Sequence, residues 1–140
     1  MDLDECYKKG FIRKTNVDKE LITSLIEISK IKETVVKEAK ITEVNISVYV
    51  SLAYDSLREV LEATCISKGF KVTSHLCMGE LLRSIFKDFN YTEFDRFRYT
   101  RNGINYYGVK VDFEQGKKII NKMFDMKKEV LKKYLENGKM

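Results

Sequence analysis

Residues 44–69 read VNISVYVSLAYDSLREVLEATCISKG, and the spacing of their apolar side chains decides the fold class. Tyr49, Leu52, Ala53, Ser56, Leu57, Val60, Leu61 and Thr64 recur at three- and four-residue steps. That spacing lines them along one face of a helix and along no face of a strand. It predicts a helix from about Val44 to Lys68, ended by Gly69 in a left-handed cap. Ala53 and Ser56 are small, so a neighbouring helix can come close there.

The same period extends in both directions. Toward the N-terminus, Leu21, Ile22, Leu25, Ile28, Ile31, Val35 and Ala39 mark a helix over about Lys19 to Lys40, with Asn16 or Asp18 as its cap. A short helix over Leu3 to Arg13 precedes it. Toward the C-terminus, FKVTS (70–74) makes a crossover and Ser74 is a candidate N-cap. Leu81, Leu82, Ile85, Phe86 and Phe89 form the next apolar face. Thr92 and Asp95 have capping-box spacing for a helix running to about Asn105. Asp112 and Gln115 repeat that spacing before a last helix carrying Ile119, Ile120, Met123, Phe124, Val130, Leu131 and Tyr134. A strand at residues 106–113, YYGVKVDF, would be too short and isolated to change the class. The expectation is one all-α domain over residues 1–140. Its architecture would be an antiparallel up-and-down bundle of four to five long helices plus a short N-terminal helix.

Composition sets the context. The 140 residues are 44% apolar, enough for a core, and contain no proline to interrupt helices. No apolar run reaches the roughly 18 residues of a membrane span. MDLDECYKKG opens acidic, without the apolar stretch of a secretory signal. These features point to a cytoplasmic protein. Cys6, Cys65 and Cys77 are odd in number and lack a CxxC spacing, which predicts that two of them are buried thiols in a reducing cytoplasm, with no disulfide framework and no zinc site. Nothing calls for a metal or a cofactor. Residues 1–70 carry 11 Lys and Arg against 12 Asp and Glu, whereas residues 71–140 carry 15 against 9. A basic second half suits an anionic partner, nucleic acid first. The lysines at 117, 118, 122, 127, 128, 132 and 133 wrap around the last helix and read as solvated surface, with Lys117, Lys128 and Lys132 on one face.

Residues 94–108, FDRFRYTRNGINYYG, carry the functional question. On a helix, Phe94, Phe97 and Ile104 make an apolar stripe. Arg98, Arg101, Asn102 and Asn105 make a polar one beside it, with Arg101 on the seam. A guanidinium at such a seam needs a partner. One reading is an internal ion pair with Glu59, Glu80 or Asp95. The other is a bound anion, since arginine grips phosphate with two prongs. In the cluster Tyr91, Phe94, Phe97, Tyr99, Tyr106 and Tyr107, the two phenylalanines belong to the core. Tyr99, Tyr106 and Tyr107 fall off the stripe and stay free to touch a partner.

This stretch resembles the signature helix of the HEPN family, the higher eukaryote and prokaryote nucleotide-binding domains. LAYDSLREVLEATCISKGFKV (52–72) resembles the family's long central helix, SHLCMGELLRSIF (74–86) the helix after it, and KKGFIRKTNVDKELITSLIEISK (8–30) its entry. The resemblance covers most of the chain in the expected order. It implies a helical bundle that forms a homodimer with signature helices facing each other. It also implies RNA or nucleotide as ligand. Many members are metal-independent ribonuclease toxins paired with a nucleotidyltransferase antitoxin. Their motif is an arginine, a polar residue, and a histidine four to six residues beyond the arginine. Arg101 and Asn102 match the first two; Tyr106, Tyr107 and Gly108 stand where the histidine would. Metal-free RNA cleavage needs a base for the 2′-hydroxyl and an acid for the leaving oxygen, and imidazole suits both. A tyrosine, ordinarily titrating near 10, is a poor base at pH 7, though it can donate a hydrogen bond or stack on a base. The resemblance therefore implies a nucleotide- or RNA-binding protein with weakened or absent cleavage. The alternatives are an active toxin and a module docking a nucleotidyltransferase. Candidate catalytic residues are Arg101, Asn102, Tyr106 and Tyr107; candidate nucleic-acid or nucleotide contacts are Arg98, Arg101, Asn105 and Tyr107. In an unbroken helix Tyr106 points about 140° away from Arg101. His75, the only histidine, follows the expected cap of another helix, a place for a structural or capping residue, and it matches a family histidine outside the catalytic motif.

Overall fold

A computed structural model describes residues 1–136, apart from the side chain of Glu136. The elements run α1 (Leu3–Lys8), β1 (Ile12–Lys14), α2 (Lys19–Glu38), α3 (Ile46–Ser67), β2 (Phe70–Val72), α4 (His75–Ile85), α5 (Tyr91–Tyr107) and α6 (Phe113–Val130), the last continued by a π-helical turn over Leu131–Glu136. The fold is overwhelmingly helical. No helix among the described residues is long and apolar enough to cross a membrane.

Helix α3 is the centre. It packs against α2, α4, α5, α6 and β2. Its second half, Glu59–Leu61 and Ala63–Ile66, is buried almost all round, as a helix in the middle of a core must be. Each large apolar side chain enclosed there contributes about 1.5–3 kcal/mol. The close approach expected at Ser56 is real: Ser29 Oγ of α2 donates to the Ser56 carbonyl at 2.6 Å. Gly69 has φ +86° and ends α3 as its position suggests. Ser74 accepts from the Cys77 amide and starts α4, and Asp112 accepts from the Gln115 amide and starts α6.

Several expectations need correction. The first helix stops at Lys8, because residues 12–14 pair antiparallel with 70–72: Ile12 lies opposite Val72, and Lys14 opposite Phe70. Three-residue strands carry too little alternation to be read from sequence. Helix α4 ends at Ile85, leaving Phe86 and Phe89 in the turn. Helix α5 begins one residue past Asn90, whose side chain accepts from the Glu93 amide, so Thr92 is not its cap. On α2 part of the apolar stripe faces outward: Ile28, Ile31 and Val35 are exposed, while Ser29 and Val36 are buried. The helix has two adjacent apolar strips, and period alone cannot say which one meets α3. Lys127, expected on the surface, is buried; its ammonium binds Glu33 at 2.6 Å and the Ser29 carbonyl at 3.1 Å.

The cysteines also depart from expectation. Cys6 and Cys77 form a disulfide joining α1 to the first turn of α4. Cys65 is a free, buried thiol, pushed up to about 12, chiefly by burial.

Gly116 marks a close contact of α6 with α3. A Cβ there would collide with Cγ1 of Ile46, itself fully enclosed. We expect Gly116→Ala to destabilise the protein by about 1–3 kcal/mol, despite up to about 1 kcal/mol of helix propensity gained. Gly103→Ala, where the new methyl meets only Val109 at 3.6 Å, should be neutral or stabilising. Urea denaturation of both variants checks this pair.

Candidate functional site

Helices α3, α4 and α5 converge on one tyrosine. Tyr54, fully buried on α3, stacks on Phe94 of α5 with ring centroids 6.2 Å apart. Its hydroxyl lies 3.1 Å from Nδ1 of His75, the first residue of α4. The Arg101 guanidinium stands over the same ring, 5.6 Å from its centroid, and 5.7 Å from the Tyr106 ring. Cationic groups at such distances are attracted to an aromatic face.

Burial sets the protonation of the pair. It pushes the Tyr54 phenol far above its ordinary range, against the opposing pull of Arg101, Arg98 and Arg58. It draws His75 down to about 4, helped by Arg58, Arg101 and Arg98. Both side chains are therefore uncharged at neutral pH, and the phenol keeps a proton to donate to the imidazole nitrogen.

The arginines differ in how they are satisfied. Arg98 donates through Nε and Nη2 to Asp95 at 3.0 and 2.8 Å. Arg58 donates to Glu62 at 3.3 Å and approaches Glu59 at 3.7 Å. Arg101 is much less tied. Its Nη2 lies 3.8 Å from Asp55, beyond hydrogen-bond range. Its Nη1 donates to the Tyr106 hydroxyl at 3.4 Å. Its Nε–H is buried and has no hydrogen-bond partner among the described residues. The three acids expected as internal partners are engaged elsewhere: Glu59 with Lys32, Glu80 with Arg83, and Asp95 with Arg98.

The polar stripe on α5 thus divides. Arg98 and Arg101 sit beside α3. Asn105 accepts from Ser51 Oγ at 2.9 Å and fastens the end of α5 to α3. Asn102 instead lines a groove of about 480 Å³ with Tyr99, Gly103, Tyr106 and Tyr107. Tyr106 belongs to both sides. It meets Arg101 in an unbroken helix, contrary to the angular expectation, because two long side chains span a separation that Cα directions overstate. Tyr99, Tyr106 and Tyr107 are exposed, and Phe94 and Phe97 are core, as their positions on the helix suggest.

Sequence reasoning missed Tyr54, Asp55 and Arg58. The signal was present in YDSLR (54–58), where Tyr54 and Arg58 are one helical turn apart. By period alone, that run marks a helix and says nothing of the chemistry it holds. The assembled group can hold an oxyanion at Arg101. It offers no imidazole poised near neutrality: His75 titrates near 4.

That depression carries a pH prediction. An unfolded histidine titrates near 6.5, so as pH falls the unfolded chain binds the proton first. Stability is full above about pH 6.5 and declines toward pH 4. Partial exposure of the ring screens the effect, leaving about 2 kcal/mol. His75→Gln should flatten the pH 7 to 5 stability profile relative to wild type in urea titrations. Parallel profiles would contradict the burial argument.

Protein-family models, curated proteins and solved structures contain no match to this chain.

Proposed function

We propose that this is a HEPN-type protein that binds RNA or nucleotides, built as an antiparallel helical bundle and working as a homodimer with α5 helices facing. The observation that carries the reading is Arg101: a guanidinium in contact with two aromatic rings, with a weak acid partner and a buried unpaired donor. An unmade hydrogen bond of this kind costs about 1–3 kcal/mol or more. A phosphate oxygen would recover it. Arg58 and Arg98 add positive field around the same point. Asp55 at 3.8 Å holds the guanidinium loosely enough to be displaced.

Cleavage is not favoured. Tyr106 touches Arg101 where the family's histidine would stand, and His75 titrates too low to be half-protonated near pH 7. Incubating labelled single-stranded RNA with the protein in EDTA tests this. Intact RNA, bound in a salt-sensitive way and released by Arg101→Ala, is the expected result. RNA cut by the wild type and left whole by the variant would make the protein a ribonuclease. No binding by either would end the nucleic-acid reading.

A protein-docking role has one observation in its favour, the outward stripe of Ile28, Ile31 and Val35 on α2. A nucleotidyltransferase partner could cover it. Ile31→Glu would then abolish co-purification with a nucleotidyltransferase encoded beside this gene, and leave RNA binding intact.

A further inference from the structure

An arginine anchor for phosphate does not account for the other side of α5. There Tyr99, Tyr106 and Tyr107 are 77%, 68% and 81% exposed, and Val109 is 54% exposed. Aromatic side chains in such number on one short stretch mark a contact surface. They line the groove described above together with Asn102 and Gly103.

The groove is built and braced. Its far wall is the segment after α5. Gly108 takes φ +65° and turns the chain back, and the Val109 amide donates to the Gly103 carbonyl at 3.0 Å. The Val111 amide donates to Ser47 Oγ at 2.9 Å, which ties that wall to α3. Gly103 adds no side chain to the floor, where a Cβ would meet only Val109. Asn102 is the one side-chain amide in the lining among the described residues and offers both a donor and an acceptor. Tyr106 joins the groove to the cation: its ring lines the one, and its hydroxyl receives Arg101.

We propose that this groove takes an unpaired nucleobase whose neighbouring phosphate sits on Arg101, which makes the ligand a single strand rather than a duplex. The inference rests on reading Arg101 as a phosphate site. The flat base lies against the tyrosine rings, a contact indifferent to base identity. Asn102 faces the base edge and supplies what selectivity there is. A duplex keeps its bases stacked on one another and cannot present a face.

Three ligands separate the base from the phosphate: a single-stranded RNA oligonucleotide, the same strand made abasic, and the oligonucleotide in a duplex. Binding is read by fluorescence anisotropy at fixed salt. Wild type should prefer the base-bearing strand over the abasic one roughly tenfold, and should bind the duplex no better than the abasic strand. Tyr107→Ala, on a side chain that is 81% exposed, should remove that preference while leaving abasic binding nearly unchanged. Tyr107→Phe should keep it. Arg101→Ala should weaken both single strands together. Equal wild-type affinity for base-bearing and abasic strands overturns the proposal, as does a Tyr107→Ala that weakens both equally. If the base preference stands but Arg101→Ala leaves abasic binding untouched, the groove is upheld and the phosphate site at Arg101 fails.

Discussion

Losing the Cys6–Cys77 bond should lower the unfolding temperature by roughly 10–15 °C. The bond closes a loop across a sequence separation of 71. Restricting the unfolded chain over that distance stabilises the fold by about 4 kcal/mol, and each kcal/mol is worth roughly 3–4 °C at this chain length. Both sulfurs are fully buried, so reductant alone reaches them slowly, and the cleaner comparison is a Cys6→Ala, Cys77→Ala double variant. It should match the fully reduced wild type and be indifferent to reductant. Thiol titration of the unfolded, unreduced protein should find one free group, Cys65. Three free thiols, with no temperature shift in the double variant, would show the two cysteines unpaired. The bond also fixes the first turn of α4, where His75 meets Tyr54.

Arg101→Ala should weaken RNA binding by roughly 10- to 100-fold, the loss expected for a charge-assisted contact worth about 1.5–3 kcal/mol. Stability should fall little or rise, because the substitution also removes a buried donor that has no partner among the described residues. Arg101→Lys should recover part of the binding only: an ammonium restores the charge but not the two-pronged geometry or the flat face against Tyr54 and Tyr106. Equilibrium titration of labelled RNA against the three proteins, with urea melts alongside, checks both halves. Arg98→Ala should cost less binding than Arg101→Ala, since Arg98 is already committed to Asp95.

What could be read in advance followed from local rules. Helix periodicity located α2, α3 and α6, and side-chain caps located the starts of α4 and α6, because both signals live within a few residues of each other. Arg101 stood out because a cation at an apolar seam is costly wherever the chain folds. The remainder depends on contacts between distant segments. Asp55 and Arg101 lie on different helices, and neither residue names the other. Tyr54 carries no local mark of its partner, since α4 brings His75 to its hydroxyl from another part of the chain. The two cysteines are far apart in sequence, and spacing rules see only near neighbours. Lys127 looked solvated until Glu33 and the Ser29 carbonyl faced it from α2. The outward turn of Ile28, Ile31 and Val35 was hidden for the opposite reason: their spacing was perfect for a buried face, and nothing local marks the adjacent strip as the one α3 chooses.

The Arg101 Nε–H, buried and without a hydrogen-bond partner among the described residues, is the donor proposed for the oxyanion, and that proton has its own resonance. Side-chain 1H–15N spectra of the wild type, assigned by comparison with Arg101→Ala, should show the Arg101 Nε–H moving strongly downfield as single-stranded RNA is added, with the signals of Arg83 and Arg98 nearly still. An Arg101 signal that stays in place through a titration that saturates RNA binding would contradict the account.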